Sequence, residues 1–470
     1  MRICMIAEGS YPYVTGGVSS WIHSLITEMP EHEFVLYAIG AETKQQGNFR
    51  YELPANLVEV KEIFLDTYLF DGGKWGQRFN LTESNRQDLI ALVSGEGTVS
   101  WDNLFDLLRS NQFKNATDFL ASKNYYDMVE QLGKETYSLV PFTELFWTVN
   151  SMILPLILTI RHDIPHADVY HSVSTGYAGV VGTLAKHIHN KPLMLTEHGI
   201  YSREREEEII KADWVKGYFK DLWIRYFYTL SNSIYESADE VITLFNRNKE
   251  IEVELGCEEE KIGIIPNGVE TSNYSKLKLA PDDDQIRIGA IVRLVPIKDI
   301  KTMIQSFALI EKEIPNAVLY IMGPTDEDEA YYQECLQMVE TLGIKNITFT
   351  GLVQIRDYVG QMDILMLTSI SEGQPLAILE GMACAKPFVT TNVGGCKELI
   401  YGKEGDDFGH AGIVAPVMHY EQIAAGVIKL CKDKKLRESM GKNGYKRVER
   451  YYKRTDFINS YRDLYQTLGG

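Results

Sequence analysis

The six cysteines, Cys4, Cys257, Cys335, Cys384, Cys396 and Cys431, are scattered, and none falls in a CxxC pair or a zinc-type spacing. That excludes a disulfide framework and a zinc knuckle and leaves reduced core or surface thiols. Long apolar runs are missing too. The most membrane-like stretch, Thr148 to Ile160, falls short of the roughly 18 residues a span needs, and Pro155 interrupts it, so a buried helix is expected. The chain opens directly on the strand-like run Met1-Arg2-Ile3-Cys4-Met5-Ile6, which leaves no room for a signal peptide and implies a cytoplasmic protein. Basic charge is in deficit, with 47 Lys and Arg against 65 Asp and Glu and a net charge of −18. Nucleic acid is therefore excluded as a partner, because phosphate backbones are bound through basic surfaces. A small anion held by a few local cations is not excluded. No GxGxxG occurs, which argues against a nicotinamide enzyme.

What is present is a globular composition, 45% apolar, over 470 residues, enough for two or three domains at roughly 150 residues each. Short apolar runs alternate with helical patterns, which predicts βα units and mainly parallel sheets. Strands are expected in the first half at Arg2–Ala7, Glu33–Ala38, Val169–His171, Leu193–Thr196, Glu240–Thr243 and Ile262–Ile265. The second half restarts the rhythm at Ile286–Ile291, followed by Val318–Gly323, Ile347–Phe349, Ile364–Leu367 and Pro387–Thr391. The polar stretch ETSNYSKLKLAPDDDQ reads as a linker, so the expected organisation is two Rossmann-like domains joined near residue 275. Residues 66–150, rich in aromatics and helix formers, predict a helical elaboration of the first domain. Trp214 to Tyr235 reads as one aromatic, basic helix, either a docking face for a membrane or partner or, more simply, a helix with its aromatics in the core.

Four local features carry ligand chemistry. In EGSYPYVTGGVSSW, Gly16 and Gly17 allow close backbone approach to a ligand, and Val18 begins a helix whose N–H groups can face an anion. In GAIVRLVPIKD, Arg293 and Lys298 lie just past a buried strand, where a guanidinium grips phosphate oxygens in pairs and an ammonium adds a point charge. In TEHGIYSRER, His198 follows a strand, with Gly199 leaving space beside it; a structural histidine is the plainer alternative. In TSISEGQPLAILEGMACAKPFVTTNVGG a strand, a tight loop and a helix place Glu372 in the loop and Glu380 about two turns into the helix, with Pro375 in the first turn. The N–H groups at Gln374-Pro375-Leu376 can cradle a diphosphate, Glu380 can accept both hydroxyls of a ribose, and Glu372 can reach a sugar. The run Asp282, Asp283, Asp284 precedes its strand and reads as a solvated linker charge run, so no metal is expected.

Together the Glu372/Glu380 pair, the Arg293 and Lys298 pair, the Gly16-Gly17 loop, Pro266-Asn267-Gly268-Val269 and Thr391-Asn392-Val393-Gly394-Gly395 resemble the retaining GT-B glycosyltransferases counted as family 4. The resemblance is specific over residues 260–450. The first half, with YHSVSTGYAG and TEHGIYSRERE, resembles the Pel-type exopolysaccharide enzymes among them.

The resemblance implies a GT-B architecture of α/β class. An acceptor-side domain would span 1–275 and a nucleotide-sugar-binding domain 276–450, facing each other across a cleft, with a C-terminal helix at 451–470 crossing back to the first domain. It implies transfer of a hexose or N-acetylhexosamine from a UDP-linked donor to a growing exopolysaccharide, with no cofactor besides that donor. The implied setting is an inner-membrane polysaccharide synthesis complex, at the inner face of the membrane. Arg293 and Lys298 would bind the diphosphate, Glu380 the ribose, and Glu372 with Gly373 and the backbone of Gln374 to Leu376 the hexose. The Gly17 amide would approach the phosphates or sugar, His198 would sit near the reacting centre, and Leu352 and Val353 fall where relatives contact the nucleobase. A nucleotide-sugar 2-epimerase and a non-catalytic nucleotide-sugar sensor are the alternatives. Retention of both glutamates and both cations speaks against the sensor.

Overall fold

In the computed structural model, which describes residues 1–67, 75–274 and 277–470, every sheet pairing is parallel. The chain forms two compact units. The first comprises Met1–Thr243, Lys249–Ile264 and Arg462–Gly470; the second comprises Leu244–Asn248 and Ile265–Tyr461. The division falls at Ile264/Ile265 rather than near 275; residues 275 and 276 lie outside the described residues.

The first unit holds β1 (Arg2–Glu8), β2 (Glu33–Gly40), β3 (Leu57–Phe64), β4 (Val169–Ser172), β5 (Leu193–Glu197), β6 (Glu240–Thr243) and β7 (Ile262–Ile264). Their order is β3-β2-β1-β4-β5-β6-β7. The central strands are apolar on both faces because helices cover both sides of a parallel sheet, and β1, β2, β4 and β5 are buried along nearly their whole length. Strand β3 escapes the sequence reading. It lies at the sheet edge and carries Glu59, Lys61 and Glu62, charges that blunt an edge against further pairing and hide its apolar alternation.

The helical elaboration follows β3 as Glu83–Ser94, Trp101–Leu108, Ala116–Leu120, Lys123–Glu135 and Phe142–Ile160. The expected span began at 66, and its residues 68–74 lie outside the described residues. Phe142–Ile160 corrects one expectation: Pro155 lies inside the helix and does not end it, so the element has 19 residues and is long and apolar enough to cross a membrane. Most of it is buried inside the protein, with Val149, Met152, Ile153, Leu156 and Ile157 in the first unit's core. The expected helix from Trp214 begins only at Lys220 and runs to Ser237, behind a short turn at Gly217–Phe219. Trp223 and Tyr226 are buried, while Trp214 stands outside the helix.

The second unit holds β8 (Ile286–Ile291), β9 (Ala317–Met322), β10 (Ile347–Gly351), β11 (Ile364–Leu367), β12 (Phe388–Thr391) and β13 (Gly412–Ala415), in the order β10-β9-β8-β11-β12-β13. The four-residue edge strand β13 is too short to show a period and was not read from sequence. Asp282, Asp283 and Asp284 are exposed as the solvated run requires, and Asp283 in addition accepts a bidentate pair of bonds from the buried Arg287 guanidinium at 2.9 and 2.5 Å, which anchors the start of β8.

Candidate active site

Each sheet reverses its direction of winding at one place, between β1 and β4 in the first unit and between β8 and β11 in the second. Crevices for ligands open beyond the carboxyl ends of strands at such points. In the second unit the loop after β8 carries Arg293 and Lys298, and the loop after β11 carries Glu372. The topology therefore brings to one crevice two segments more than 70 residues apart in sequence.

Lys298 ends a short 3₁₀ turn, Pro296–Lys298, and Asp299 follows in the left-handed region with φ 47°, its side chain capping the helix Ile300–Glu313. The Thr368 hydroxyl, at the end of β11, donates to the Lys298 carbonyl at 3.1 Å and the Asp299 carbonyl at 3.0 Å, tying the two loops together. Lys298 Nζ then lies 2.5 Å from Glu372 Oε1, which also accepts from Ser369 Oγ at 2.6 Å. Both charged side chains are largely enclosed, 18% and 10% exposed respectively.

The TTNVGG motif supports this loop. Gly394 has φ 47°, and a Cβ there would sit 2.0 Å from the Glu372 carbonyl oxygen, so only glycine fits. Gly395 N–H donates to the Gly373 carbonyl at 2.8 Å, and Thr391 Oγ1 donates to the Ser369 carbonyl at 2.6 Å.

The helix after Glu372 is Leu376–Ala383. Pro375 therefore stands at its N-cap rather than in its first turn, and Glu380 is the helix's fifth residue, a little over one turn in rather than two. The N–H groups of Leu376 and Ala377 precede any intrahelical acceptor, while Ile378 N–H donates to the Pro375 carbonyl at 3.1 Å. The Gln374 side chain is engaged internally: its Oε1 accepts from Asn267 N–H at 2.6 Å and its Nε2 donates to the Leu244 carbonyl at 3.3 Å. Its backbone carbonyl also accepts from Asn267 Nδ2 at 3.2 Å, so only its backbone N–H is left for a ligand. Glu380 is hydrogen-bonded by the Tyr274 hydroxyl and lies near the Arg356 guanidinium, while burial pushes its carboxyl above the usual range.

Arg293 does not join Lys298 and Glu372. It is half exposed and pairs with Glu327, in the loop after β9, at 2.8 Å. Leu352 and Val353 follow β10 at the far edge of the sheet, with Leu352 exposed and Val353 partly buried against the core.

In the first unit Gly16 and Gly17 start the helix Gly17–Thr27 after β1, with Val18 in its first turn. Gly16 is extended, at φ 174°, and a Cβ on either glycine would meet nothing within 4 Å. Neither local conformation nor internal packing demands glycine there, which fits a loop that something approaches from outside. Trp21, one turn along the same helix, meets the His198 ring edge-on at a centroid distance of 4.7 Å. The fold thus brings His198, just past β5, to the helix that the glycines begin. His198 Nε2 is buried and, among the described residues, has no hydrogen-bond partner. Burial pushes the imidazole down to about 4, so it is neutral at physiological pH.

Sequence reasoning missed several neighbours. Glu197, immediately before His198, accepts from Tyr235 Oη at 2.5 Å and Tyr201 N–H at 3.0 Å, which fixes the turn carrying the histidine. Glu8 ends β1 at the switch point, accepting from Ala178 N–H and from Tyr201 Oη at 3.2 Å each, with its carboxyl raised by burial. A carboxylate closing an apolar strand was the available signal for both. Tyr274, Arg356 and Glu327 had none, since each meets its partner only through the tertiary fold.

Two parallel-sheet Rossmann-like units, with a lysine and a glutamate joined at the second switch point, define the class: a glycosyltransferase of GT-B architecture. The chain belongs to the family described as Domain of unknown function (DUF3492), which matches residues 1–260, and residues 274–447 match Glycosyl transferases group 1. The capsular polysaccharide biosynthesis glycosyltransferase CapM of Staphylococcus aureus is 26% identical over 355 residues, covering 72% of this chain and 87% of that one. The UDP-Gal:alpha-D-GlcNAc-diphosphoundecaprenol alpha-1,3-galactosyltransferase of Escherichia coli is 24% identical over 400 residues, 80% of this chain and 95% of that one. Among solved structures, Anabaena Alr3699/HepE in complex with UDP and glucose superposes over the whole of both chains with a TM-score of 0.60 at 15% identity. Sucrose-phosphate synthase from Thermosynechococcus elongatus does so over 99% of this chain and 98% of that one, with a TM-score of 0.62 at 14% identity.

Proposed function

We propose that the protein transfers a hexose or N-acetylhexosamine, with retention, from a UDP-linked donor to a growing exopolysaccharide of the Pel type. The observation that carries this reading is the Lys298–Glu372 pair at the second switch point, beside the helix that bears Glu380. The helix N-terminus receives the diphosphate, because its free N–H groups and dipole favour an anion. Lys298, and Arg293 once it leaves Glu327, stabilise the charge that grows on the diphosphate as the glycosidic bond breaks. Glu380 accepts the ribose hydroxyls, and Glu372 orients the sugar.

Glu372 Oε1 already accepts from Lys298 and Ser369. A carboxylate engaged in this way suits positioning better than nucleophilic attack, which favours single-face transfer over double displacement. The relatives' names, which refer to capsule biosynthesis and to a UDP-galactose donor, support a nucleotide sugar and a polysaccharide product. The Pel-type acceptor and the inner-membrane setting rest on the first-half motifs alone.

The test is calorimetry with UDP, GDP and ADP in the presence of EDTA, followed by NMR of the product's anomeric centre from the preferred donor. Tight UDP binding without added metal and an unchanged anomeric configuration are expected. Absence of nucleoside diphosphate binding, or release of a free epimerised sugar without acceptor, would refute the reading.

A further inference from the structure

We propose that the first unit carries a second glycan-binding site, distinct from the switch-point crevice: a shallow aromatic cavity of about 340 Å³ between the start of helix Phe142–Ile160 and the segment before helix Lys220–Ser237. Its occupant is an uncharged stretch of polysaccharide. Trp147, Trp214 and Trp223 line it together with the hydroxyl-bearing Thr143, Thr148 and Ser151. Trp214 is 70% exposed and Trp147 57%, against 6% for Trp223, which meets Trp214 edge-on at 5.6 Å and supports it from below. Exposed aromatics gathered in a concavity mark an interaction site rather than ordinary surface, and a volume near 340 Å³ is in the range of small-ligand sites.

Charge decides which ligand fits. The cavity's two charged side chains, Glu144 and Lys216, lie 2.6 Å apart, and the Tyr218 hydroxyl also donates to Glu144. The next lysine, Lys220, donates to the Ile210 carbonyl at 2.6 Å. What remains is indole faces and the hydroxyls of Thr143 and Thr148, with Ser151 Oγ, which donates to the Thr148 carbonyl at 2.7 Å, left to accept. A pyranose ring offers a C–H face that packs on the electron-rich face of an indole, and hydroxyls at its rim that exchange hydrogen bonds with threonine and serine. A membrane-surface helix would instead present free lysines to anionic lipid. Here the lysines are engaged, and the nearby helix Tyr201–Lys211 contributes Glu204, Glu206, Glu207 and Glu208.

The direction of the chain gives the site its use. Both helices feed the amino ends of parallel strands, β4 and β6, and at 1.5 Å per residue they extend about 27–29 Å. Their first turns therefore lie toward the end of the sheet where the strands finish, the end that carries Gly16, Gly17 and His198. A chain held there would be the acceptor or the product. That last assignment rests on the proposed transferase function; glycan binding itself does not.

The experiment titrates the full chain with chitopentaose, cellopentaose and maltopentaose, read by tryptophan fluorescence and calorimetry. The variants are Trp147→Ala, Trp214→Ala, their double variant and the conservative Trp214→Phe. Saturable quenching by at least one pentasaccharide is expected, with Kd raised about tenfold in each single alanine variant, abolished in the double, and kept within about threefold in Trp214→Phe. UDP affinity should be the same in all of them. No quenching by any of the three sugars, or affinity unchanged in the double variant, overturns the proposal. So does tryptophan-dependent sedimentation with phosphatidylglycerol vesicles, which would make the surface a membrane dock. Loss of UDP binding in the parent protein alongside normal glycan binding would fault the transferase reading and leave this site standing.

Discussion

Lys298 Nζ lies 2.5 Å from Glu372 Oε1 inside a loop pair where both side chains are largely enclosed. The group expected to stabilise the departing diphosphate and the group expected to hold the sugar are therefore one electrostatic unit. Removing either leaves the other charge enclosed and unpaired, which costs more than losing an exposed ion pair. Lys298→Ala should lower turnover by on the order of 10²-fold or more and also destabilise the fold by roughly 1–3 kcal/mol. The double variant Lys298→Ala/Glu372→Gln should recover part of that stability while staying inactive. Urea unfolding of Lys298→Ala, Glu372→Gln and the double variant measures the coupling, and strictly additive losses would contradict it.

Arg293 behaves differently because its partner, Glu327, is a half-exposed surface carboxylate. Such pairs contribute about 0–1 kcal/mol, so the guanidinium can leave at little cost. Glu327→Gln should leave stability unchanged and tighten donor binding by up to about fivefold, as the released Arg293 no longer has to exchange partners. Arg293→Ala should weaken donor binding with a normal melting temperature. Calorimetry that finds Glu327→Gln weaker for donor than the parent would show that Glu327 serves the ligand rather than competing with it.

The architecture was legible because parallel strands buried on both faces leave continuous apolar runs, as in Met5-Ile6-Ala7 and Leu365-Met366-Leu367. Strands β3 and β13 were hidden for the opposite reason, since edge position admits charge and brevity removes period. Within the site, Lys298, Glu372 and Glu380 could be named from their loop and helix context, yet the direct pairing of Lys298 with Glu372 could not. It depends on β8 and β11 being neighbours, a matter of winding order rather than local pattern. The engagement of Gln374 by Asn267 and the Tyr274–Glu380 bond are equally products of tertiary contact.

His198 and Glu252 set opposite pH slopes on stability. His198 is held well below its ordinary value of 6.5, so the native state refuses a proton that the unfolded chain accepts. Its contribution is full above pH 6.5 and is lost as pH falls toward 4. Glu252 is pushed up by burial and by the neighbouring Glu197 carboxylate, so the native state keeps a proton that the unfolded chain has released. That contribution is full below about pH 4.5, the ordinary carboxylate value, and is lost as pH climbs. Melts from pH 4 to 9.5 should show His198→Gln flattening the acid limb and Glu252→Gln flattening the alkaline limb. Parallel curves for variant and parent on either limb would remove that residue from the account.

The two glutamates of the loop after β11 and of the helix that follows it should separate by ligand. Glu380 sits in a pocket with Tyr274 and Arg356, away from the Lys298 contact, and is assigned the ribose. Glu380→Gln should therefore weaken UDP and the intact donor alike. Glu372 lies on the sugar side of the helix N-terminus in this assignment, so Glu372→Gln should leave UDP affinity nearly unchanged while cutting turnover. A charge-assisted hydrogen bond is worth roughly 1.5–3 kcal/mol, or about 10- to 150-fold in affinity, which calorimetry resolves easily. The Lys298 pairing adds a complication with a definite sign. Neutralising Glu372 frees Lys298 to meet the diphosphate, so UDP binding in Glu372→Gln should hold steady or improve, never weaken. Equal losses of UDP affinity in the two variants would mean that both carboxylates serve the nucleotide, and the assignment of one glutamate to each end of the donor would be wrong.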